Sequence, residues 1–173
     1  MGKLDGWLVL DGYEDEPAAF GVPNYVGFHI RYICGVLEER AIEYTYMTVD
    51  QWRRSFKSEL STSEGRKNVR EQMGELDGAI LLAGAVVPGK YIRGTPISRG
   101  ETDSFLSTVP NRIPVICGGW AIRHWRQSGW VSPRPNLFCS LKDIDATLNH
   151  FLSTGKMSHK KRSPDEWTRW ALR

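Results

Sequence analysis

Residues 79–91 read AILLAGAVVPGKY, and this stretch predicts the fold. It opens with an unbroken apolar run that ends at Gly84, a pattern typical of a strand buried on both faces of a parallel sheet. A long segment rich in glycine and proline, residues 86–98, follows in place of a tight turn. Ligands of open parallel sheets bind beyond the carboxyl ends of the strands, so we expect residues 84–98 to form one wall of a binding site.

Strand-like and helix-like segments alternate on both sides of this stretch. The predicted strands are residues 6–10, 42–49, 79–83, 113–117 and 136–139. The predicted helices are residues 25–40, 101–106, 120–127 and 141–153, with another inside 50–76 that is interrupted near 61–65. The alternation predicts an α/β three-layer sandwich, Rossmann-like or flavodoxin-like, with a five-stranded parallel sheet of order 2-1-3-4-5.

The charge of the chain is unevenly distributed. The net charge is +3, but residues 156–173 carry six Lys or Arg against Asp165 and Glu166, a local charge of +4. The body, residues 1–155, therefore carries −1. A nucleic-acid-binding face needs basic residues clustered on the folded body, so we expect no nucleic-acid partner.

The amino terminus and the cysteines bear on the cellular compartment. No apolar run approaches the roughly 18 residues that span a bilayer, and no signal sequence precedes the first strand, which predicts a cytoplasmic protein with no membrane partner. Cys34, Cys117 and Cys139 are far apart and fit neither a disulfide framework nor a metal knuckle. They are predicted to be small buried residues, and no metal site is expected.

The carboxyl-terminal segment predicts a division of the chain. Residues 1–154 form the α/β domain, and residues 155–173 form a basic linker and the start of a docking helix. The sequence SPDE at 163–166 is a capping box that begins this helix, and Trp167 and Trp170 share one of its faces. We expect that face to dock on a domain absent from this chain.

Three motifs suggest chemistry at the strand ends. Residues 84–90 match the phosphate-binding pattern G-x4-G-K, but Tyr91 replaces the Ser or Thr that would hold magnesium, which disfavours nucleotide hydrolysis. Asp11 and the acidic residues 14–16 resemble a phosphoacceptor pocket, but the third strand ends in glycine instead of aspartate, which favours a solvated loop with Asp11 as its one functional acid. Cys117 lies between a strand and a helix, where some hydrolases place a nucleophile. The more favoured interpretation is a small residue that closes the strand.

Five segments together resemble the N-terminal cobalamin-binding-like domain of radical S-adenosylmethionine (radical SAM) proteins. They are DGYEDEP at 11–17, GVP at 21–23, AGAVVPGKY at 83–91, GTPIS at 94–98 and SPDEW at 163–167. The resemblance covers nearly the whole chain. It implies a catalytic domain downstream or in trans, whose C-x3-C-x2-C motif holds a [4Fe-4S] cluster and which uses S-adenosylmethionine. This chain has no such motif.

The resemblance also implies a cobalamin site at the strand ends. The residues implied in cofactor binding are Asp11, Gly12, Tyr13, Gly84, Val86, Gly89, Gly118, Gly119 and Trp120. The Asp-x-His-x-x-Gly motif that supplies a cobalt ligand in many cobalamin domains is absent after the first strand, so binding would proceed without a histidine lower ligand.

The sequence thus predicts a cobalamin-binding-like module that serves a radical SAM domain in methyl transfer or related chemistry, and no catalysis by this chain alone. Two alternatives stay open. One is a stand-alone enzyme that uses Cys117 as a nucleophile, and the other is an interaction or structural module that has lost its ligand.

Overall fold

Strands and helices alternate along the chain in a computed structural model that describes residues 4, 6–12, 28–84, 96–134, 137–138 and 144–156. The strands are β1 (Trp7–Asp11), β2 (Tyr44–Thr48), β3 (Gly78–Leu82), β4 (Val115–Gly118) and β5 (Leu137–Phe138). The helices are α1 (Phe28–Glu39), α2 (Val49–Phe56), α3 (Ser63–Gly74), α4 (Arg99–Thr108), α5 (Trp120–Gln127) and α6 (Ile144–Thr154), with a 3-10 turn at Glu59–Ser61.

The sheet is parallel, and its main strands lie in the order β2-β1-β3-β4. The α/β class and this order confirm the corresponding part of the prediction. Beside β4, only Leu137 and Phe138 pair as β5, opposite Ile116 and Cys117. A full fifth strand is therefore not shown, although residues 136–139 were predicted to form one.

Helices cover both faces of the sheet, as expected for a parallel sheet whose strands are apolar on both sides. One face packs against α2, α3, α4 and α5 around Leu8, Leu81 and Phe105. The other packs against α1 and α6 around Val9, Ile80 and Leu148. Alternate residues of β1 and β3 enter opposite cores, which is the two-residue period of a strand.

The predicted interruption near residues 61–65 is confirmed. The 3-10 turn separates α2 from α3, and the Thr62 hydroxyl accepts a hydrogen bond from the Gly65 N–H to begin α3. A side chain at Gly65 would collide with the backbone of Glu59, so the helix approaches the preceding turn closely only because residue 65 is glycine.

The final helix bears on the predicted domain boundary. α6 ends at Thr154, and Gly155 follows in a left-handed conformation with φ of 65°. This glycine conformation commonly terminates helices. The predicted docking helix at 163–173 lies outside the described residues. Within the described residues, no helix has the length and apolar character needed to cross a membrane.

Candidate functional site

The carboxyl ends of the strands meet on one line across the sheet. The register places Thr48 of β2 beside Asp11 of β1, Asp11 beside Leu82 of β3, and Leu82 beside Gly118 of β4. The order of the chain reverses between β1 and β3, which is where open α/β sheets bind their ligands. The predicted site residues 11–12, 84 and 118–120 are therefore all brought to this edge.

Asp11 is a buried carboxylate at this switch point. Its residue is only 3% exposed, and Oδ2 accepts a hydrogen bond from the Tyr46 hydroxyl at 3.0 Å. Side chains two residues apart in a strand point to the same face of the sheet. Trp7 and Val9 face α1 and α6, so Asp11 lies on that face too. The predicted solvated loop position is therefore wrong for this residue, because Asp11 ends a central strand.

Further polar side chains line the α1 face near β2. The Tyr44 hydroxyl donates to Glu38 Oε1 at 2.6 Å, and this bond raises the pKa of Tyr44 because it holds the phenol proton. Burial raises the pKa of the Cys34 thiol more than its hydrogen bond with Tyr44 lowers it. Cys34 is partly exposed, not fully buried as predicted, because α1 leaves it beside Tyr44 at the border of the core. A raised pKa makes it a weak nucleophile near neutral pH.

The glycines at the strand ends are packed against other segments of the chain. A side chain at Gly12 would strike the Leu82 carbonyl and Ile97, and one at Gly119 would strike the Ala83 carbonyl. One at Gly84 would meet the Cβ of Ala121 at 2.9 Å. Gly84 and Gly119 also have φ of 60° and 107°, which favours glycine. These glycines allow neighbouring segments to approach, and the space beside them is already filled.

Two hydrogen bonds join the edge segments. The Gly12 N–H donates to the Leu82 carbonyl at 2.7 Å, and the Ile97 N–H donates to the Gly12 carbonyl at 2.8 Å. The end of the predicted wall, residues 96–98, therefore lies directly against β1. Residues 85–95 lie outside the described residues, as do Tyr13, Val86 and Gly89 of the predicted site.

The amino terminus of α5 is closed by the end of β3. The Trp120 N–H donates to the Gly84 carbonyl at 2.9 Å, and the Ala121 N–H donates to the Ala83 carbonyl at 3.1 Å. Free N–H groups at a helix start are what binds phosphate in dinucleotide folds. These two N–H groups are already bonded and are therefore not available to a phosphate, and the Trp120 side chain is 60% exposed.

An ion pair fixes the rim on the α2–α5 face. Arg53 of α2 donates to both carboxylate oxygens of Glu101 on α4, at 2.7 and 3.0 Å, and also contacts Asp50 at 3.2 Å. Glu101 in turn accepts from the Ser98 N–H and hydroxyl as part of a capping box. The Arg53 guanidinium lowers the pKa of Glu101 to about 2, since its hydrogen bonds favour the ionised carboxylate.

Cys117 is fully buried among the side chains of the α2–α5 face. A nucleophilic thiol needs access to substrate and a stabilised thiolate. The burial supports the interpretation of Cys117 as a small residue closing β4. Nearby, the buried Arg134 donates to the carbonyls of Val109, Asn111 and Ile113, which fixes the turn between α4 and β4.

Sequence reasoning missed the contacts that organise this edge, which involve Tyr46, Arg53, Ser98 and Glu101. The Ser-x-x-Glu spacing of Ser98 and Glu101 is a capping-box signal that could have been found. Nothing in the sequence pairs Arg53 with Glu101 or Tyr46 with Asp11, because the partners lie 48 and 35 residues apart. Among the described residues, no group of His, Cys, Asp and Glu side chains could hold a metal ion.

Two proteins that are similar in sequence are much longer than this chain. No protein-family model matches. An uncharacterised protein of Methanocaldococcus jannaschii is 35% identical over 178 residues, covering 96% of this chain and 30% of that protein. An uncharacterised protein of Archaeoglobus fulgidus is 39% identical over 93 residues, covering 54% of this chain and 16% of that protein. This chain therefore spans less than a third of either relative.

One solved structure is also similar. It is the crystal structure of the diflavin flavoprotein A3 from Nostoc sp., with 11% identity, 80% of each chain covered and a TM-score of 0.36. That score is too low for the match to bear on fold or function. The class of the protein rests on its own sheet, which is parallel, doubly wound and flavodoxin-like in the order β2-β1-β3-β4.

Proposed function

We propose that this chain is a cofactor-binding module whose site lies at the carboxyl edge of the sheet, and that it serves a catalytic domain outside the chain. The observation that carries the proposal is the buried Asp11 carboxylate at the switch point, held by Tyr46 where the ends of β1, β3 and β4 meet. A buried polar group beside converging strand ends is typical of binding sites in open α/β sheets.

Cobalamin is the ligand that the sequence resemblance implies. The packed glycines at positions 12, 84 and 119 do not themselves leave room for a corrin, because backbone and side-chain atoms of the chain itself fill the space beside them. Support for the corrin therefore comes from the resemblance, and support for a site at this edge comes from Asp11 and the register of the strands. The reactive chemistry would be supplied by S-adenosylmethionine and a [4Fe-4S] cluster in the separate domain.

The proposal also covers the fifth strand of the sheet, the cellular compartment and the partners of the module. We propose that β5 completes a five-stranded sheet of order 2-1-3-4-5, that the chain acts in the cytoplasm, and that it binds neither nucleic acid nor membrane. The pairing of Leu137 and Phe138 with β4 supports the fifth strand.

Equilibrium dialysis against hydroxocobalamin at tens of micromolar tests the cofactor. We expect the chain to retain the corrin and Asp11→Asn to weaken its binding at least tenfold. The matched control is Glu75→Gln, an exposed carboxylate at the carboxyl end of α3, which should bind as the unmodified chain does. Near-UV circular dichroism establishes that each variant is folded.

Two outcomes would overturn parts of the proposal. No corrin retained by the unmodified chain would remove cobalamin and favour an interaction or structural module. Retention unaffected by Asp11→Asn would move the site away from this edge. The catalytic partner has its own test: a radical SAM domain on the same chain requires a C-x3-C-x2-C motif in the part of the M. jannaschii relative outside the matched region, and its absence there would leave only a domain supplied in trans.

The stand-alone enzyme using Cys117 is the less favoured candidate. Its thiol is fully buried, so selective alkylation of Cys117 over Cys34 near neutral pH is the result that would revive it.

A further inference from the structure

A cleft of about 330 Å³ opens between the second half of α3 and the turn that joins α4 to β4. The chain enters β3 and β4 directly after these two segments, so the cleft lies at the amino end of the sheet, opposite the edge that carries Asp11. Ligand cavities usually measure about 300–1,000 Å³, which makes this one large enough for a small molecule only. Its lining residues are Lys67, Arg70, Glu71, Glu75, Pro110 and Arg112.

Two arginines of the cleft are held by main-chain carbonyls of the segments opposite them. Arg70 of α3 donates from Nη1 to the Ser107 carbonyl in the last turn of α4, at 3.3 Å. Arg112 donates from Nη2 to the Gly74 carbonyl at the end of α3, at 2.9 Å, and its guanidinium occupies the space that a side chain at position 74 would need. Each of these bonds uses one of the five N–H groups of a guanidinium. Both groups are therefore positioned before a ligand arrives.

The charges that line the cleft are largely unpaired. Within the part of the chain that the structure describes, neither Arg70 nor Arg112 forms an ion pair with a carboxylate. Glu71 contacts Lys67 at 3.9 Å, and both of these side chains are largely exposed. Glu75 follows the last turn of α3, where the helix dipole disfavours a carboxylate, so helix stability does not account for its presence.

A further cation lies behind the cleft. The buried Arg134 donates to the carbonyls of Val109 and Ile113, which fixes the turn between them. Burial lowers the pKa of Arg134, and the charge of Arg70 lowers it further, so the two guanidinium groups lie within electrostatic reach of each other. Together with Lys67 and the second arginine of the cleft, four cations face two carboxylates. The local potential therefore favours an anion.

We propose that this cleft binds a small phosphate monoester that carries hydroxyl groups. Guanidinium groups bind phosphate through parallel N–H donors, which suits the two positioned arginines. Carboxylates accept hydrogen bonds from hydroxyls, which gives Glu71 and Glu75 a role that a bare anion would not give them. The same two carboxylates disfavour a nucleic-acid backbone, because they would repel its successive phosphates.

Isothermal titration calorimetry of the full chain with ribose 5-phosphate, inorganic phosphate and ribose tests the proposal. We expect ribose 5-phosphate to bind with a Kd below about 1 mM, about fivefold or more tightly than inorganic phosphate, and ribose alone not to bind. Arg70→Gln and Arg112→Gln should each weaken the binding of ribose 5-phosphate by about fivefold or more. Near-UV circular dichroism establishes that each variant is folded.

Arg66→Gln is the matched control. Arg66 also lies on α3 and donates to a main-chain carbonyl, that of Leu60 at 3.5 Å, but it does not line the cleft. Its substitution changes the net charge by the same amount, so the affinity for ribose 5-phosphate should change less than about twofold.

Glu75→Gln separates the phosphate from the hydroxyl groups of the ligand. It should weaken the binding of ribose 5-phosphate by about threefold, because a carboxylate binds a hydroxyl more strongly than an amide does. The same substitution should strengthen the binding of inorganic phosphate, because it removes a repelling charge.

Four results would each overturn the proposal. They are no binding of ribose 5-phosphate, binding that Arg70→Gln and Arg112→Gln leave unchanged, an equal loss in Arg66→Gln, and ribose 5-phosphate binding no tighter than inorganic phosphate. The last of these would mean an adventitious ion only. The cobalamin experiment varies Asp11 at the other end of the strands, so failure of one proposal leaves the other standing.

Discussion

The two faces of the sheet bury different chemistry. The α2–α5 face contains an aromatic cluster in which Trp52 lies 4.4 Å from Phe56 and 5.2 Å from Phe105, between ring centroids. Its main charged contact, Arg53 with Glu101, lies at the rim. The α1 face is apolar at its centre but carries the Asp11 carboxylate at the carboxyl edge, where the Tyr46 hydroxyl donates to it.

This difference indicates that the two faces contribute differently to stability and to a functional site. On the α2–α5 face, the buried aromatic side chains and the Arg53–Glu101 ion pair contribute mainly to the free energy of folding. They also hold α4 and residues 96–98 against the sheet. A buried carboxylate such as Asp11 contributes little net stability, since its desolvation offsets much of what its hydrogen bonds return. Groups of that kind are more often found at functional sites.

The largest effect is expected from Phe105→Ala. Phe105 is completely buried, so the substitution should lower the free energy of unfolding by about 3–5 kcal/mol through lost burial and the cavity left behind. Urea unfolding measures this. Tyr44→Phe, which removes the hydrogen bonds of the hydroxyl with Glu38 and Cys34 on the other face, should cost about 0.5–1.5 kcal/mol. Similar costs for the two variants would contradict the division between the faces.

A smaller loss is expected from Gly119→Ala, at the junction of the two faces. Its φ of 107° and the clash of a Cβ with the Ala83 carbonyl should together cost about 2–3 kcal/mol. Thermal and urea unfolding would show it.

Two other glycines separate the causes. Gly129 has φ of 83° but open space around it, so Gly129→Ala should cost about 1 kcal/mol from backbone strain alone. Gly100 lies in α4 with open space and no positive φ, and Gly100→Ala should stabilise the protein by about 0.4–1 kcal/mol. If Gly119→Ala cost no more than Gly129→Ala, the close contact with β3 would have no energetic weight.

Breaking the ion pair between Arg53 and Glu101 should lower the free energy of unfolding less than Phe105→Ala or Gly119→Ala does. Its effect should also depend on pH. Glu101→Gln is expected to lower the free energy of unfolding by about 1–2 kcal/mol near pH 7, the range for a partly exposed charge-assisted hydrogen bond. The folded-state pKa of Glu101, about 2, lies below its ordinary value of 4.5. The contribution is therefore complete above about pH 5 and is lost as the pH falls toward 2.

Unfolding curves at several pH values between 7 and 2 check this expectation. The difference between the unmodified chain and Glu101→Gln should shrink over that range. Glu71→Gln is the control, because Glu71 lies 3.9 Å from Lys67 with both side chains largely exposed, and its loss should cost less than about 0.5 kcal/mol at any pH. A pH-independent cost for Glu101→Gln would mean that shape, and not charge, holds the rim.

The sequence by itself determined most of the helices and strands and the edge of the sheet at which the described residues of the predicted site meet. The apolar run at 79–83 predicted a central strand because such runs are stable only when both faces are covered. Helix α5 was placed at its observed bounds by Gly118 and Gly119, which turn the chain directly from strand to helix. The pattern placed Asp11 just after the first strand but in a solvated loop, and its burial contradicts the second part of that prediction.

The tertiary structure decided what those positions do. Asp11 is buried and bonded to Tyr46, the strand-end glycines let other segments of the chain pack closely against them, and Arg53 reaches Glu101 across the rim. A sequence pattern shows only which residues are apolar, polar or flexible and how these types repeat every two to four residues along the chain. Contacts between residues 35 to 50 apart depend on the register of the strands and the packing of the helices, and local spacing does not encode them.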